Sequence, residues 1–117
     1  MKFYKIKSHA KINLSLNIIK KINPNLHMIE SLVSFIDLHD LIYLREINSK
    51  KHKIYFVGKF SRGINSKNTI NKLLEILDKK GFLKQKKFEI KITKNIPQKS
   101  GMGGGSMNAA SLINFFL

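Results

Sequence analysis

With 117 residues the chain has room for one domain and a buried core. Its balance of 43% hydrophobic to 25% charged residues excludes a disordered tail, and no apolar run approaches the roughly 20 residues of a membrane-spanning helix. Cysteine is absent, which removes disulfides and thiolate metal sites, and no secretory leader pattern opens the chain. A cytoplasmic, metal-free scaffold with no membrane partner is therefore expected.

The formal net charge of +15 raises the question of nucleic acid. All the basic residues except Arg45 and Arg62 are lysine, and Ile and Asn are abundant as well. That trio is what AT-rich coding produces, whereas base-reading surfaces lean on arginine. The lysines are also scattered along the chain. Nucleic acid is an unfavoured partner, and a positive field that attracts a polyphosphate substrate accounts for the charge.

Taken in order, Phe3 to Lys7 alternate apolar and polar, and Ala10 to Ile19 alternate again, so two half-buried strands are expected. On the second, Lys11, Asn13, Ser15 and Asn17 share one face. Asn23-Pro24-Asn25 marks a turn. From Met28 to Ile36 the apolar spacing is nearer helical than strand-like, so helix and strand both stay open. Asp37 to Asp40 reads as a turn and Leu41 to Ile47 as a strand. A polar loop over Asn48 to His52 then leads to Lys53–Val57 as the hairpin partner. After a loop over Gly58 to Lys67, Asn68-Thr69 caps an amphipathic helix from Ile70 to Leu77, and Lys79-Lys80-Gly81 ends it. Lys86 to Thr93 is a further strand.

The stretch Pro97 to Ala110, PQKSGMGGGSMNAA, follows. Gly101, Gly103, Gly104 and Gly105 precede Ser106, between an apolar strand pattern and an apolar helix pattern. Glycine lets another group approach the backbone closely. A glycine run that hands over to a helix aims unpaired N–H groups at one spot, with the positive end of the helix dipole behind them, and such a spot suits phosphate. No Gly-Lys-Ser/Thr closes the run, so it is not a Walker A loop, and its spacing is not that of a dinucleotide fold. A flexible linker is the alternative, and the flanking apolar patterns count against it. The final helix starts near Gly105 or Ser106 and still runs, apolar and uncapped, at Leu117, so the chain is expected to be a fragment of a longer protein.

In this order, AKINLSL, LHMIESLVSFIDLHD, NTINKLLEIL and IPQKSGMGGGSMNAASL resemble the GHMP kinases, small-molecule kinases of the galactose, homoserine and mevalonate type. Nearly the whole chain takes part, at about two-fifths of the usual length of the enzymes it matches best. The fold implied is α+β: a mixed, mostly antiparallel sheet with two helices on one side. Residues 1–117 would form the N-terminal ATP-binding domain, incomplete at its C-terminal side. The resemblance further implies ATP and Mg²⁺, and a small-molecule substrate, a cytidine diphosphate-linked methylerythritol of non-mevalonate isoprenoid biosynthesis. By the same resemblance, Lys11 and Asn13 lie beside the acceptor alcohol, Lys11 in the catalytic role, and His27 hydrogen-bonds cytosine. Asn68 and Lys94 lie near the nucleotide. Pro97, Gly101, Gly103, Gly104, Gly105 and Ser106 surround the ATP phosphates.

Three positions depart from the pattern. Asn25-Leu26 stand where Gly-Tyr is usual, which removes an aromatic platform under cytosine. Met102 replaces a common Leu, and Met107 a frequent second Ser. A Gly-x-Asp-x-Pro-type segment, which carries the family's catalytic Asp, does not occur, and Asp37, Asp40 and Asp78 do not match it. The polypeptide alone is thus expected to be inactive. Another GHMP kinase acting on a smaller alcohol, and a basic nucleic-acid-binding module, remain the alternatives.

Overall fold

The computed structural model describes residues 3–23, 26–64, 68–98 and 104–117, with side chains described outside 13–34. Four strands and two helices follow one another as β1 (Tyr4–Asn23), β2 (Leu26–Ile47), β3 (Lys53–Val57), α1 (Thr69–Lys79), β4 (Lys87–Thr93) and α2 (Gly104–Phe116). The sheet order is β1-β2-β4-β3. The β1–β2 and β2–β4 pairs are antiparallel and β3–β4 is parallel, so the sheet is mixed and mostly antiparallel, as expected.

Three local expectations change. The two short strands at the start are one, β1, and the segment from Met28 to Ile36 is extended within β2, as is Asp37 to Asp40. Four register shifts interrupt the β1–β2 pairing. At three of these shifts the extra residue lies on β1, and at the fourth β2 bulges around Asp37, so the two strands do not keep a single register. Third, β3 is not the hairpin partner of β2, because β4 lies between them. Strand β4 contributes Ile90 and Ile92, both fully buried, and belongs at the centre; β3 alternates exposed and half-buried residues, as an edge strand does.

Alternation and register place the core on one face of the sheet. Ile6, Ile42, Ile92 and Phe56 line up across the four strands, and Leu44, Ile90 and Ile54 form the adjoining row. Against these pack Ile70, Leu74 and Leu77 of α1 and Leu112 of α2, so both helices cover the same face. The other face carries Lys5, Tyr43, Lys91 and Tyr55 as one row, with the Lys91 ammonium 5.1 Å from the centre of the Tyr43 ring. Lysines dispersed in sequence are partly gathered there by the sheet. Among the described residues, no helix is long and apolar enough to cross a membrane.

Helix α1 has the ends that its sequence specifies. The Asn68 side chain accepts from the N–H groups of Ile70 (2.9 Å) and Asn71 (3.1 Å), satisfying two donors of the first turn. At the other end Gly81, at φ +75°, donates to Asp78 O and Phe82 donates to Leu77 O, a Schellman closure. His52 ties this end to β4: the Phe88 N–H donates to its Nδ1 (3.0 Å), leaving Nε2 to carry the hydrogen toward Asp78 (2.9 Å).

After β3 the chain turns at Gly58, which has φ +95°. A Cβ there would lie 3.0 Å from Lys94 O and 3.1 Å from Lys94 N, so the site requires glycine for conformation and for space alike. Gly63 has φ +81° with nothing within 4 Å of such a Cβ. We expect Gly63→Ala to cost about 1 kcal/mol through its backbone alone, and Gly58→Ala clearly more, up to about 3 kcal/mol. Urea midpoints of the two variants check this; equal losses would show that the close approach at Gly58 is unimportant.

Candidate active site

The apolar rows of the core end in a polar one. By register Ser8 on β1 stands opposite Asp40 on β2, and Lys94, one residue past β4, continues the face of Ile90 and Ile92. All three are buried: Ser8 and Asp40 completely, Lys94 to 4% exposure. The Lys94 ammonium donates to Asp40 Oδ2 at 2.6 Å. The other oxygen, Oδ1, accepts from the N–H groups of Asn95 (2.6 Å) and Ile96 (2.9 Å). One carboxylate therefore holds both the cation and the backbone by which the chain leaves the sheet toward the glycine stretch. The Asn95 side chain adds a bond to His39 O at 3.0 Å.

The same exit is stitched to the loop after β3. Lys94 N–H donates to Val57 O (2.7 Å) and Phe60 N–H to Lys94 O (3.3 Å). The Gln98 amide donates to both Phe60 O and Arg62 O at 2.7 Å. Pro97, half-buried, lies within this stitched segment.

Helix α2 begins against it. A Cβ on Gly104 would be 3.3 Å from Ile96 Cγ2 and 3.6 Å from Lys94 Nζ, so the first turn presses on the exit segment and the lysine. Gly105 and Ser106 are exposed in that turn, and no acidic residue lies there to occupy the helix's unpaired N–H groups. At the opposite end Phe115 meets Tyr4, with ring centres 5.2 Å apart. The Ser8–Asp40 register places Lys94, and with it the start of α2, at the level of Ser8 on β1, three residues before Lys11.

The structure thus brings Lys94, Pro97, Gly104, Gly105 and Ser106 together, while Lys11, half-buried, stands three residues past Ser8 along β1 with the sequence parity of Lys5, Lys7 and His9. Lys94 is not a free surface charge; its ammonium is committed to Asp40. Asn68 lies at the start of α1, as its cap. Asn13 and His27 have backbone places on β1 and β2, opposite Val33 and Lys21, and their side chains lie outside the described residues, as Gly101 and Gly103 do entirely. Asp40 was missed by sequence reading because it was placed in a turn. Its signal was parity: Asp40, Ile42 and Leu44 share one alternation, so a strand reading buries the carboxylate. Asn108 of α2 was missed too. It is 1% exposed, and its Oδ1, like Ser8 Oγ, has no hydrogen-bond partner among the described residues.

Comparison with known proteins gives concordant results. The family described as GHMP kinases N terminal domain matches residues 68–117. The 4-diphosphocytidyl-2-C-methyl-D-erythritol kinase of Pelagibacter ubique (strain HTCC1062) is 64% identical over all 117 residues, which cover 41% of that protein. The kinase of the same name from Clostridioides difficile (strain 630) is 36% identical over 97% of the chain and 38% of its own length. The chain therefore spans about two-fifths of these relatives. A crystal structure of 4-(cytidine 5'-diphospho)-2C-methyl-D-erythritol kinase superposes with a TM-score of 0.71 at 23% identity, over 96% of this chain and 39% of that one. Homoserine kinase from Cytophaga hutchinsonii ATCC 33406 does so at 0.67 and 19%, over 99% and 36%. Both likenesses establish the fold.

Removing the Asp40 charge leaves a buried ammonium without a counter-ion, so Asp40→Asn should lose about 3–5 kcal/mol of stability. Adding Lys94→Met should recover most of it, because Asn still accepts from Asn95 and Ile96. A double-mutant cycle by urea denaturation measures both; a single variant within about 1 kcal/mol of the parent would remove the pair's importance.

Proposed function

From a chain that carries a GHMP kinase N-terminal domain, we propose that the whole protein is an ATP-dependent kinase acting on an alcohol. The acceptor we assign is the 2-hydroxyl of 4-diphosphocytidyl-2-C-methyl-D-erythritol, the compound in the names of the curated relatives, so that the protein serves non-mevalonate isoprenoid biosynthesis in the cytoplasm. Residues 1–117 act as the ATP-facing domain. The observation that carries this reading is the start of α2, set against Lys94 and the segment it anchors.

Phosphoryl transfer asks mainly for positioning and charge stabilisation. In this reading the N–H groups of the glycine stretch and of the first turn of α2, with the Ser106 hydroxyl, bind the triphosphate. Lys94 and Asp40 fix the segment that delivers that stretch, while Asn68 and Pro97 flank the nucleotide. Lys11 steadies the charge that develops on the transferring group and keeps the acceptor hydroxyl close, with Asn13 beside it and His27 on the cytosine. Asp40 does not fit a metal-ligand role, since its oxygens are taken by Lys94, Asn95 and Ile96. The Ser106 hydroxyl, exposed in the first turn, does fit, and Mg²⁺ held there with the nucleotide would neutralise phosphate charge. The residue that takes the hydroxyl proton belongs to a part of the enzyme beyond these 117 residues.

In the full-length protein Lys11→Ala should lower kcat about 10²–10³-fold while KM for ATP changes much less. Steady-state ATP turnover on the cytidyl substrate, with mevalonate and homoserine as competitors, checks both halves of the reading. Turnover unaffected by the substitution would sink the role of Lys11. Preference for one of the smaller alcohols would replace the acceptor and leave the kinase.

A further inference from the structure

A second cluster lies outside the site described above. His9 on β1 pairs in register with His39 on β2. Between His9 and Lys11 the first strand advances two residues, while its partner advances four, from His39 to Phe35. This bulge contains Asp37, and bulges commonly re-aim a side chain. As a result a ring nitrogen of His9, a ring nitrogen of His39 and a carboxylate oxygen of Asp37 all lie within 4.8 Å of one another.

The two rings are held in a specific way. His9 Nδ1 lies 3.1 Å from Ile36 O, and His39 Nδ1 lies 2.6 Å from Asp37 O. A carbonyl oxygen only accepts, so each Nδ1 carries the hydrogen, and each neutral ring presents Nε2 as a lone pair. This backbone-anchored tautomer is what metal-binding histidines use. Both histidines are half-buried and Asp37 is exposed, so the cluster is oriented from below and open to solvent above.

We propose that His9, His39 and Asp37 form a site for a zinc-class divalent ion. Two imidazoles and one carboxylate suit Zn²⁺ and its late first-row neighbours, whereas Mg²⁺ selects oxygen donors. Bonds of about 2.0–2.2 Å in a tetrahedral arrangement set ligand atoms about 3.3 Å apart. Ring nitrogens and a carboxylate oxygen that already lie within 4.8 Å of one another need modest closure to reach that spacing. With three protein ligands the fourth position belongs to water or an anion. Lys7 and Lys11 stand on the same strand, and the chain's positive charge opposes any cation, so binding is set by donor chemistry and is moderate in strength. The metal-free scaffold expected from the sequence rested on the absence of cysteine; a histidine pair joined by register has no spacing signal along the chain. The inference stands apart from the kinase reading, and its test needs no activity.

The test uses the intact protein, stripped with chelator and free of any histidine tag, titrated calorimetrically with Zn²⁺ and separately with Mg²⁺. One equivalent of Zn²⁺ should bind with Kd of about 10 µM or tighter and persist in excess Mg²⁺. His39→Ala and Asp37→Asn should each weaken it by at least about tenfold, with circular dichroism unchanged. Nitrogen-15 spectra should show zinc perturbing Nε2, and not Nδ1, of both histidines. Absence of stoichiometric zinc, or equal affinity in Asp37→Asn, an exposed change that the fold tolerates, would overturn the site and reduce the histidines to a packed ring pair.

Discussion

The Lys94–Asp40 ion pair is the interaction on which the functional end of the molecule depends. Both groups are out of water, and such a pair gains little net stability over an apolar replacement. Its effect is on geometry. With Lys94 on one oxygen and the N–H groups of Asn95 and Ile96 on the other, Asp40 fixes the direction in which the chain leaves the sheet. Ile96 and the lysine then form the surface on which α2 begins. An apolar pair of equal volume would fill the space without aiming the backbone.

From that corner the rest follows in layers. The rows of Ile and Leu behind the pair are buried by α1 and α2 together, so the helix whose first turn is proposed to meet the phosphates is also a wall of the core. The loop after β3 is sewn to the exit segment through Lys94 and Gln98. A helix start carried on a core-packed helix loses little position when a charged ligand arrives, and preorganisation of this kind suits phosphoryl transfer.

The parts legible in the sequence were those specified by local chemistry. Helix α1 could be placed from Asn68 at one end and Gly81 at the other, β3 and β4 from clean alternation, and the start of α2 from its glycines. The illegible parts were set by pairing across the chain. Pairing with β1 makes the first half of β2 a strand although its apolar spacing does not mark it as one, and the central place of β4 broke the apparent hairpin of β2 and β3. Asp40 was visible as a residue but not as a partner, because nothing local links it to a lysine 54 positions away. The order of motifs supplied what periodicity could not.

The sheet also has two margins. Among the described residues, strand β1 is paired on one side only, with β2, and β3 only with β4, so each presents a row of backbone donors and acceptors that a strand from another molecule could copy. Lys5, Lys7 and Lys11 stand on the first margin and Lys53 on the second. Two copies meeting edge to edge would set ammonium against ammonium along the seam. Lysine richness that reads as coding bias thus also sets like charges along the twenty residues of this strand, an arrangement that disfavours pairing of one copy with another.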